Sequence, residues 1–238
     1  YLNMGNALKG KGDLAAAIDS YKKGLQFKPD DADFHENMGN ALKEKGDIAT
    51  AIDSYKKALY IKPDNPTVKH ILSALTGQQT VSAPNRYIEE VFDVFAAKFE
   101  HSLIEKLKYK TPKLIAELVS KHQPRAVLDS MLDLGCGTGL AGVELKGLCQ
   151  NIEGIDLSKK MLIEAHKKNV YDKLNHTGIV EYLSEATLDF DLFVSADVFV
   201  YVGALSEVFQ LIKSRNKRKG WLAFSTEHTQ KDGFFLEI

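Results

Sequence analysis

Residues 132–140 read LDLGCGTGL, in which a short apolar strand carrying Asp133 leads into a turn with glycines at alternate positions. Glycine permits a left-handed backbone and leaves room where a side chain would collide with a bound molecule. A dinucleotide-binding turn would instead have the spacing GxGxxG, with backbone N–H groups directed at a pyrophosphate. A carboxylate at Asp133 would repel that diphosphate but can accept hydrogen bonds from an ammonium group. The pattern therefore favours a zwitterionic ligand.

A second short apolar run, residues 152–155, is followed by Asp156, which lies 17 positions after Gly139. In a doubly wound sheet, an acid at the end of the second strand binds the ribose hydroxyls of a nucleotide. Ser158 is predicted to cap the following helix, and the flexible thioether of Met161 can pack against a planar base. The end of the second strand and the helix after it are thus predicted to contact the ribose and the base.

Short apolar runs alternate with helical patterns throughout the C-terminal half of the chain. The predicted helices are 87–107 and 111–121, and the predicted strands are 131–134, 152–155, 192–195 and 221–224. This alternation is typical of βαβ units and a parallel sheet. We therefore expect a Rossmann-like α/β domain with a doubly wound, mostly parallel sheet. We also expect two further strands after residue 224, and a native polypeptide that is longer at both ends.

The N-terminal part contains an internal repeat with a period of 34 residues. Residues 4–8 (MGNAL) recur as residues 38–42, and Tyr21 recurs as Tyr55. A Gly-Asp pair inside each repeat is predicted to end one helix and to start the next. This period and pattern resemble the tetratricopeptide repeat, a pair of antiparallel helices. Asn6 and Asn40 occupy equivalent positions and are candidates for a ladder of donors along a groove; ordinary repeat consensus is the alternative.

The segment from 87 to 227 resembles the class I S-adenosylmethionine-dependent methyltransferases, and among them a bacterial group that carries tetratricopeptide repeats. The resemblance rests on the motifs LDLGCGTGLAG, GIDLSKKML and SADVFVY. It implies S-adenosylmethionine as cofactor, S-adenosylhomocysteine as product and an unidentified methyl acceptor. It also implies catalytic positions at Asp197 and Tyr201. The cofactor-binding residues that it implies are Asp133, Leu134, Gly135, Cys136, Gly137, Gly139, Asp156, Leu157, Met161, Ile179 and Asp197.

The predicted organisation has two domains joined by a linker. Residues 1–75 form an all-α tetratricopeptide-repeat domain, with repeats at 1–33 and 34–67 and a capping helix over 68–75. Residues 76–86 have the polar, glycine- and proline-containing composition of a linker. Residues 87–238 form the methyltransferase domain, expected to lack its C-terminal strands.

The composition argues against several other classes of protein. The 32 acidic and 31 basic residues nearly cancel, so nucleic acid is not an expected partner. A membrane is not expected either, because no apolar run approaches the roughly 20 residues of a bilayer span. Cys136 and Cys149 lack CxxC spacing, which fits reduced thiols in the cytoplasm, with Cys136 as a small filler. No metal site is predicted, since paired Cys or His ligands are missing from the sequence.

The leading interpretation is an enzyme whose repeat arm recruits a protein or peptide. The main alternative is a catalytically silent methyltransferase fold that acts as a protein-binding scaffold. It is kept open because residues 176–179 read HTGI, without the acid that relatives offer to the adenine amino group. A nicotinamide-dependent oxidoreductase is disfavoured by the glycine spacing and by Asp133.

Overall fold

The computed structural model describes residues 1–78, 82–122 and 127–226, with the Lys106 side chain left out. The chain divides into two compact units, Tyr1–Pro84 and Asn85–Ile238. Residues 79–81 of the predicted linker and the expected continuation after strand five, residues 227–238, lie outside the described residues. Of the helices in the described ranges, not one combines the length and the apolarity that a membrane crossing requires.

The first unit contains five consecutive helices. They are α1 (Leu2–Gly10), α2 (Leu14–Phe27), α3 (Ala32–Lys45), α4 (Ile48–Ile61) and α5 (Pro66–Leu75). Asp13 and Asp47 cap α2 and α4, each accepting a backbone N–H three residues on. Gly46 ends α3 with a φ of +88°, a conformation that favours glycine. The predicted helix pairs are confirmed, and α5 covers the range of the predicted capping helix.

Within each repeat, a tyrosine ring packs against a glycine of the preceding helix. A Cβ added at Gly5 would lie 2.3 Å from the Tyr21 ring, and one added at Gly39 would lie 2.8 Å from the Tyr55 ring. Both tyrosines are fully buried. Because only a glycine leaves room for the ring, the two helices of a repeat approach closely there.

The second unit contains a five-stranded sheet with helices around it. Before the sheet come α6 (Asn85–Glu100), a π-helical turn (His101–Lys106) and α7 (Thr111–His122). The strands are β1 (Leu128–Leu134), β2 (Cys149–Asp156), β3 (Lys173–His176), β4 (Leu192–Ser195) and β5 (Trp221–Phe224). The helices between them are α8 (Leu140–Leu145), α9 (Lys159–Lys167), α10 (Ile179–Glu185), a 3₁₀ turn (Phe199–Tyr201) and α11 (Leu205–Arg215).

All the strand pairs are parallel, and the strand order is β3-β2-β1-β4-β5. The first strand therefore lies at the centre, and the chain reverses its direction of progress across the sheet beside it. Ligands of open α/β sheets bind in the crevice at the carboxyl ends of the strands at this switch point. The predicted Rossmann-like parallel sheet is confirmed, and its crevice lies after Leu134.

Alternate residues of β1 pack on opposite faces of the sheet. Leu132 and Leu134 belong to a core cluster with residues of α10 and α11. Met131 belongs to the other cluster, with residues of α7 and α8. All three side chains are fully buried, so both faces of the central strand are covered. The four strands that the sequence predicted are present, and β3, for which no range was predicted, completes the sheet.

Candidate functional site

The glycine turn follows the central strand. Gly135, Gly137 and Gly139 have φ values of +74°, +53° and +89°, so all three adopt a left-handed backbone. The N–H groups of Gly135 and Cys136 both donate to the Ile155 carbonyl, each at 2.9 Å. These two bonds hold the turn against the end of β2.

The three glycines meet different neighbours. A Cβ at Gly135 would lie 2.5 Å from the Val198 side chain, and one at Gly139 would lie 3.0 Å from the Tyr171 ring. At Gly137, the nearest described atom to an added Cβ is a ring carbon of Phe99, 4.0 Å away. Protein packing therefore requires glycine at the first and third positions. Gly137 is the position that faces open space among the described residues.

Asp156 joins the turn to the start of α9. Its Oδ2 accepts the Gly137 N–H at 2.9 Å, and its Oδ1 accepts the Ser158 N–H at 2.7 Å. Burial raises the pKa of Asp156, and the two backbone N–H groups oppose that rise. An ionised carboxylate offers about four acceptor sites, so about two of them remain for hydroxyl donors.

Ser158 caps helix α9 as predicted. Its hydroxyl oxygen accepts the Met161 N–H at 3.1 Å and donates to Asp93 Oδ1 at 2.6 Å. The same Asp93 oxygen accepts the Lys160 N–H at 3.2 Å. Asp93 of α6 thus extends the cap and fastens α6 to α9. The sequence assigned no role to Asp93, because its partner lies 65 residues away.

Asp133 lies beneath the glycine turn and is 1% exposed. The Tyr171 hydroxyl donates to its Oδ2 at 2.7 Å. Burial raises the pKa of Asp133 to about 7, the Tyr171 hydrogen bond opposes the rise, and the nearby Asp156 adds to it. A residue this buried acts on a ligand mainly through its charge. Tyr171 has no role predicted from the sequence, because this residue lies outside the motifs that identify the site.

Three aromatic rings form a cluster that reaches the turn through Phe99. The Phe92 ring contacts Phe99 edge-on with centroids 6.1 Å apart, and Tyr201 with centroids 5.2 Å apart. Phe99 is also the ring nearest to Gly137. Phe92 and Phe99 belong to α6, so this helix supplies most of an apolar wall beside the turn.

Asp197 follows β4 with a φ of +56°, which is uncommon for a residue other than glycine. Its N–H donates to Ser225 Oγ at 2.7 Å, and the same hydroxyl donates back to its carboxylate. Burial of the Tyr109 hydroxyl and the charge of the nearby Asp197 carboxylate raise the pKa of Tyr109. Asp197 is thus held by the Ser225 hydroxyl, a partner to which the sequence assigned no role.

The other residues implied by the resemblance also lie near this edge of the sheet. Leu134 and Met161 are fully buried, and Ile179 begins α10 and packs on the core. The Leu157 carbonyl is bonded to His176 Nε2 at 2.7 Å. Burial raises the pKa of Cys136 well above its usual range, which keeps its thiol protonated. Within the described ranges, His, Cys, Asp and Glu residues form no group of three that could hold a metal ion.

The site can be compared with known proteins on this basis. Residues 132–224 match the family described as methyltransferase domain. Residues 5–46 and 32–65 match two families of tetratricopeptide repeats.

Three similar proteins illustrate these matches. Over 68 residues, the chain is 39% identical to a dTDP-3-amino-3,6-dideoxy-alpha-D-glucopyranose N,N-dimethyltransferase of Streptomyces fradiae, covering 29% of this chain and 26% of that protein. Over 133 residues, it is 28% identical to the biotin biosynthesis bifunctional protein BioHC of Saccharophagus degradans, covering 55% of this chain and 23% of that protein. A solved S-adenosylmethionine-dependent methyltransferase of Clostridium acetobutylicum is 25% identical with a TM-score of 0.46, covering 54% of this chain and 56% of that one.

The chain spans about a quarter of the length of these two curated relatives. Each family match lies within one of the two units of the structure: the repeat families cover the helix pairs, and the methyltransferase family runs from β1 to β5. Residues 5–65 therefore match tetratricopeptide repeats, and residues 132–224 match a methyltransferase domain.

Proposed function

We propose that the second unit transfers a methyl group from S-adenosylmethionine to an acceptor molecule. The observation that carries the proposal is the pairing of Asp156 with the turn: its carboxylate accepts the N–H of Gly137, the glycine that faces open space. A ligand seated on this glycine would meet a carboxylate with acceptor sites left for ribose hydroxyls. The match of residues 132–224 to the methyltransferase domain family supports the same conclusion.

The residues fit S-adenosylmethionine better than a dinucleotide. Asp133 and Asp156 place two carboxyl groups beside the turn, which favours the cationic methionine end of the cofactor and disfavours a pyrophosphate. Within the stretch HTGI, an added Cβ at Gly178 would lie 3.1 Å from the Asn85 amide nitrogen and 3.9 Å from a Glu181 oxygen. The Asn85 and Glu181 side chains are candidates to bind the edge of adenine, because the stretch HTGI itself contains no acid.

When bound, S-adenosylmethionine supplies a methyl group already activated by its positively charged sulfur. The protein is left to hold the acceptor in line and to exclude water, a proximity effect worth roughly 7 to 11 kcal/mol in favourable cases. We assign the exclusion of water to the ring wall of Phe92, Phe99 and Tyr201. We assign Asp197 as the group that accepts a proton from a protic acceptor at its carboxylate. Ser225 orients that carboxylate.

The repeat unit is proposed to bind a protein or peptide partner. Asn6 and Asn40 each accept a tyrosine hydroxyl on Oδ1, at 2.7 Å in both repeats. This bond turns the amide so that its oxygen is used inside the repeat. The amide N–H groups then remain as donors that a peptide carbonyl can accept. Because the two repeats have the same geometry, the donors are equivalent along the array.

The alternative, a silent fold that serves as a scaffold, is not favoured by any observation on the site. The nicotinamide alternative conflicts with the carboxylates around the turn. We keep the cytoplasm as the proposed location because both cysteines are free thiols and buried.

Calorimetric titration of the whole chain with S-adenosylmethionine tests the function. We expect binding, competition by S-adenosylhomocysteine and no competition by NAD. Asp156→Asn should weaken binding at least tenfold, because the loss of a charged acceptor costs about 1.5–3 kcal/mol. Asp129→Asn is the matched control: Asp129 lies near the amino end of β1 and bonds to Arg218 at 2.9 Å. Lack of binding by the wild-type chain at millimolar cofactor would refute the proposal.

A further inference from the structure

Tyr171, between α9 and β3, occupies a slot formed by three glycines. An added Cβ would lie 3.0 Å from the Tyr171 side chain at Gly139, 2.5 Å at Gly142 and 2.9 Å at Gly154. These glycines belong to the turn, to α8 and to β2. All three distances are at or below the limit that real Cβ atoms adopt, so a side chain at any of the three positions would displace the ring or its neighbours. The slot is shaped for an aromatic ring in one orientation.

The hydroxyl of Tyr171 has two partners. It donates to Asp133 Oδ2 at 2.7 Å and accepts the N–H of Gly142 at 3.2 Å. Gly142 is the third residue of α8, and the first N–H groups of a helix have no partner within the helix. Gly139, the residue before α8, provides no side-chain cap. The hydroxyl therefore caps α8 and links it to the carboxylate at the end of β1.

We propose that Tyr171 is a positioning residue of the cofactor site, which holds the Asp133 carboxylate beneath the glycine turn and ties it to the start of α8. This inference rests on the proposed function. Asp133 is 1% exposed and receives its hydrogen bond from inside the protein. A buried side chain therefore holds this carboxylate in place, a role that an exposed residue cannot fill.

The hydrogen bond also controls the charge at this position. Burial raises the pKa of Asp133 to about 7, and the Tyr171 hydroxyl lowers it. The other titratable groups that interact with Asp133 are Asp156, the Cys136 thiol and the Tyr109 hydroxyl. Tyr171 is the group that favours the ionised carboxyl, the form that attracts a cationic cofactor. Without its hydroxyl, Asp133 should take up a proton at a higher pH.

The test is a titration of S-adenosylmethionine into the Tyr171→Phe variant between pH 6 and 9. We expect the pH midpoint of binding to rise by about one unit, which corresponds to the loss of one hydrogen bond to a charged group. Binding at pH 7 should then weaken about fivefold, because the ionised fraction of Asp133 falls from about one half to about one tenth. Tyr182→Phe is the matched control. Tyr182 also donates its hydroxyl to a carboxylate of the same unit, Glu153, and the variant should bind within twofold of the wild type.

Combination with Asp133→Asn separates positioning from general packing. In that background the pH dependence should disappear, and Tyr171→Phe should have little further effect. If Tyr171→Phe does not fold, Gly142→Ala displaces the hydroxyl from the opposite side and should give the same weakening. Binding by Tyr171→Phe that equals the Tyr182→Phe control at every pH overturns the inference while leaving the proposed function intact. Failure of the wild-type chain to bind removes the proposed function itself.

Discussion

A tyrosine ring packed against glycine, with its hydroxyl donated to a polar side chain, occurs in both units of the molecule. In the second repeat, Tyr55 packs against Gly39 and donates to Asn40 at 2.7 Å. In the second unit, Tyr171 occupies its slot and donates to Asp133, also at 2.7 Å. The acceptor is a neutral amide in the repeat and a buried carboxyl group in the second unit.

This difference separates a contact that stabilises from one that also positions charge. An amide does not change its charge with pH, so the repeat tyrosine contributes mainly through the packing of its ring. A buried carboxyl group has a strongly raised pKa, so the hydroxyl bonded to it influences whether the group is ionised. The same geometry should therefore respond differently to the same substitution in the two units.

The largest effect is expected from removal of a repeat ring. Tyr55→Ala should lower the free energy of unfolding by about 3–5 kcal/mol, because it leaves a cavity in a fully buried position. Tyr55→Phe keeps the ring and should lose only about 1 kcal/mol. Urea denaturation followed by far-UV circular dichroism measures both. Equal losses for the two variants would show that the hydroxyl, and not the ring, stabilises the repeat.

The next effect concerns the buried acid. The pKa of Asp133 is about 7 in the folded chain, above that of an unfolded aspartate. Its contribution to stability is therefore present at low pH and lost as the pH rises through 7. Asp133→Asn should raise the free energy of unfolding by about 2–3 kcal/mol more at pH 8 than at pH 5. The fluorescence of Trp221, the single tryptophan, follows this unit during denaturation. An equal change at both pH values would contradict the raised pKa.

A smaller effect should follow from a methyl group placed in a tyrosine slot. Gly142→Ala should lower the free energy of unfolding by about 1–3 kcal/mol, because the methyl would overlap Tyr171. Gly147→Ala is the control, since an added Cβ there meets no described atom within 4 Å and should change stability by less than about 0.5 kcal/mol. Gly39→Ala and Gly10→Ala form the corresponding pair in the repeats. If the free energy of unfolding of an alanine variant equals that of its control, the glycine at that position does not constrain the tyrosine ring.

The smallest effect is expected at the repeat amide. Asn40→Ala removes the acceptor of the Tyr55 hydroxyl and should cost about 0.5–1.5 kcal/mol. Asn37→Ala, one turn earlier on the same helix, removes an exposed amide that donates to the Asp33 carbonyl and should cost less. Thermal denaturation of the two variants compares them. A larger loss of stability for Asn37→Ala would show that the bond between Asn40 and Tyr55 is not the more stabilising of the two.

The sequence predicted the architecture of both units and several residues of the site's framework. The repeat period predicted the helix pairs, and the alternation of short apolar runs with helices predicted the parallel sheet. Ser158 caps α9 as expected. The expectation that the glycines make room for a ligand applies most directly to Gly137. Gly135 and Gly139 are glycines because Val198 and Tyr171 occupy the adjoining space, which only the packed structure reveals. The roles of Asp197 and Tyr201 in catalysis stay predictions.

By itself, the sequence determined the periodicity of the helices, the periodicity of the strands, a left-handed glycine turn and two acidic residues near the ends of neighbouring strands. These are local features, written within one element or repeated at a constant interval. Only the tertiary structure decided which distant residues hold the side chains of the site in place. Tyr171 reaches Asp133 across 38 residues, and Asp93 reaches Ser158 across 65. Contacts between elements so far apart in the chain arise from packing around a shared core, and packing leaves no periodic trace in the order of the residues.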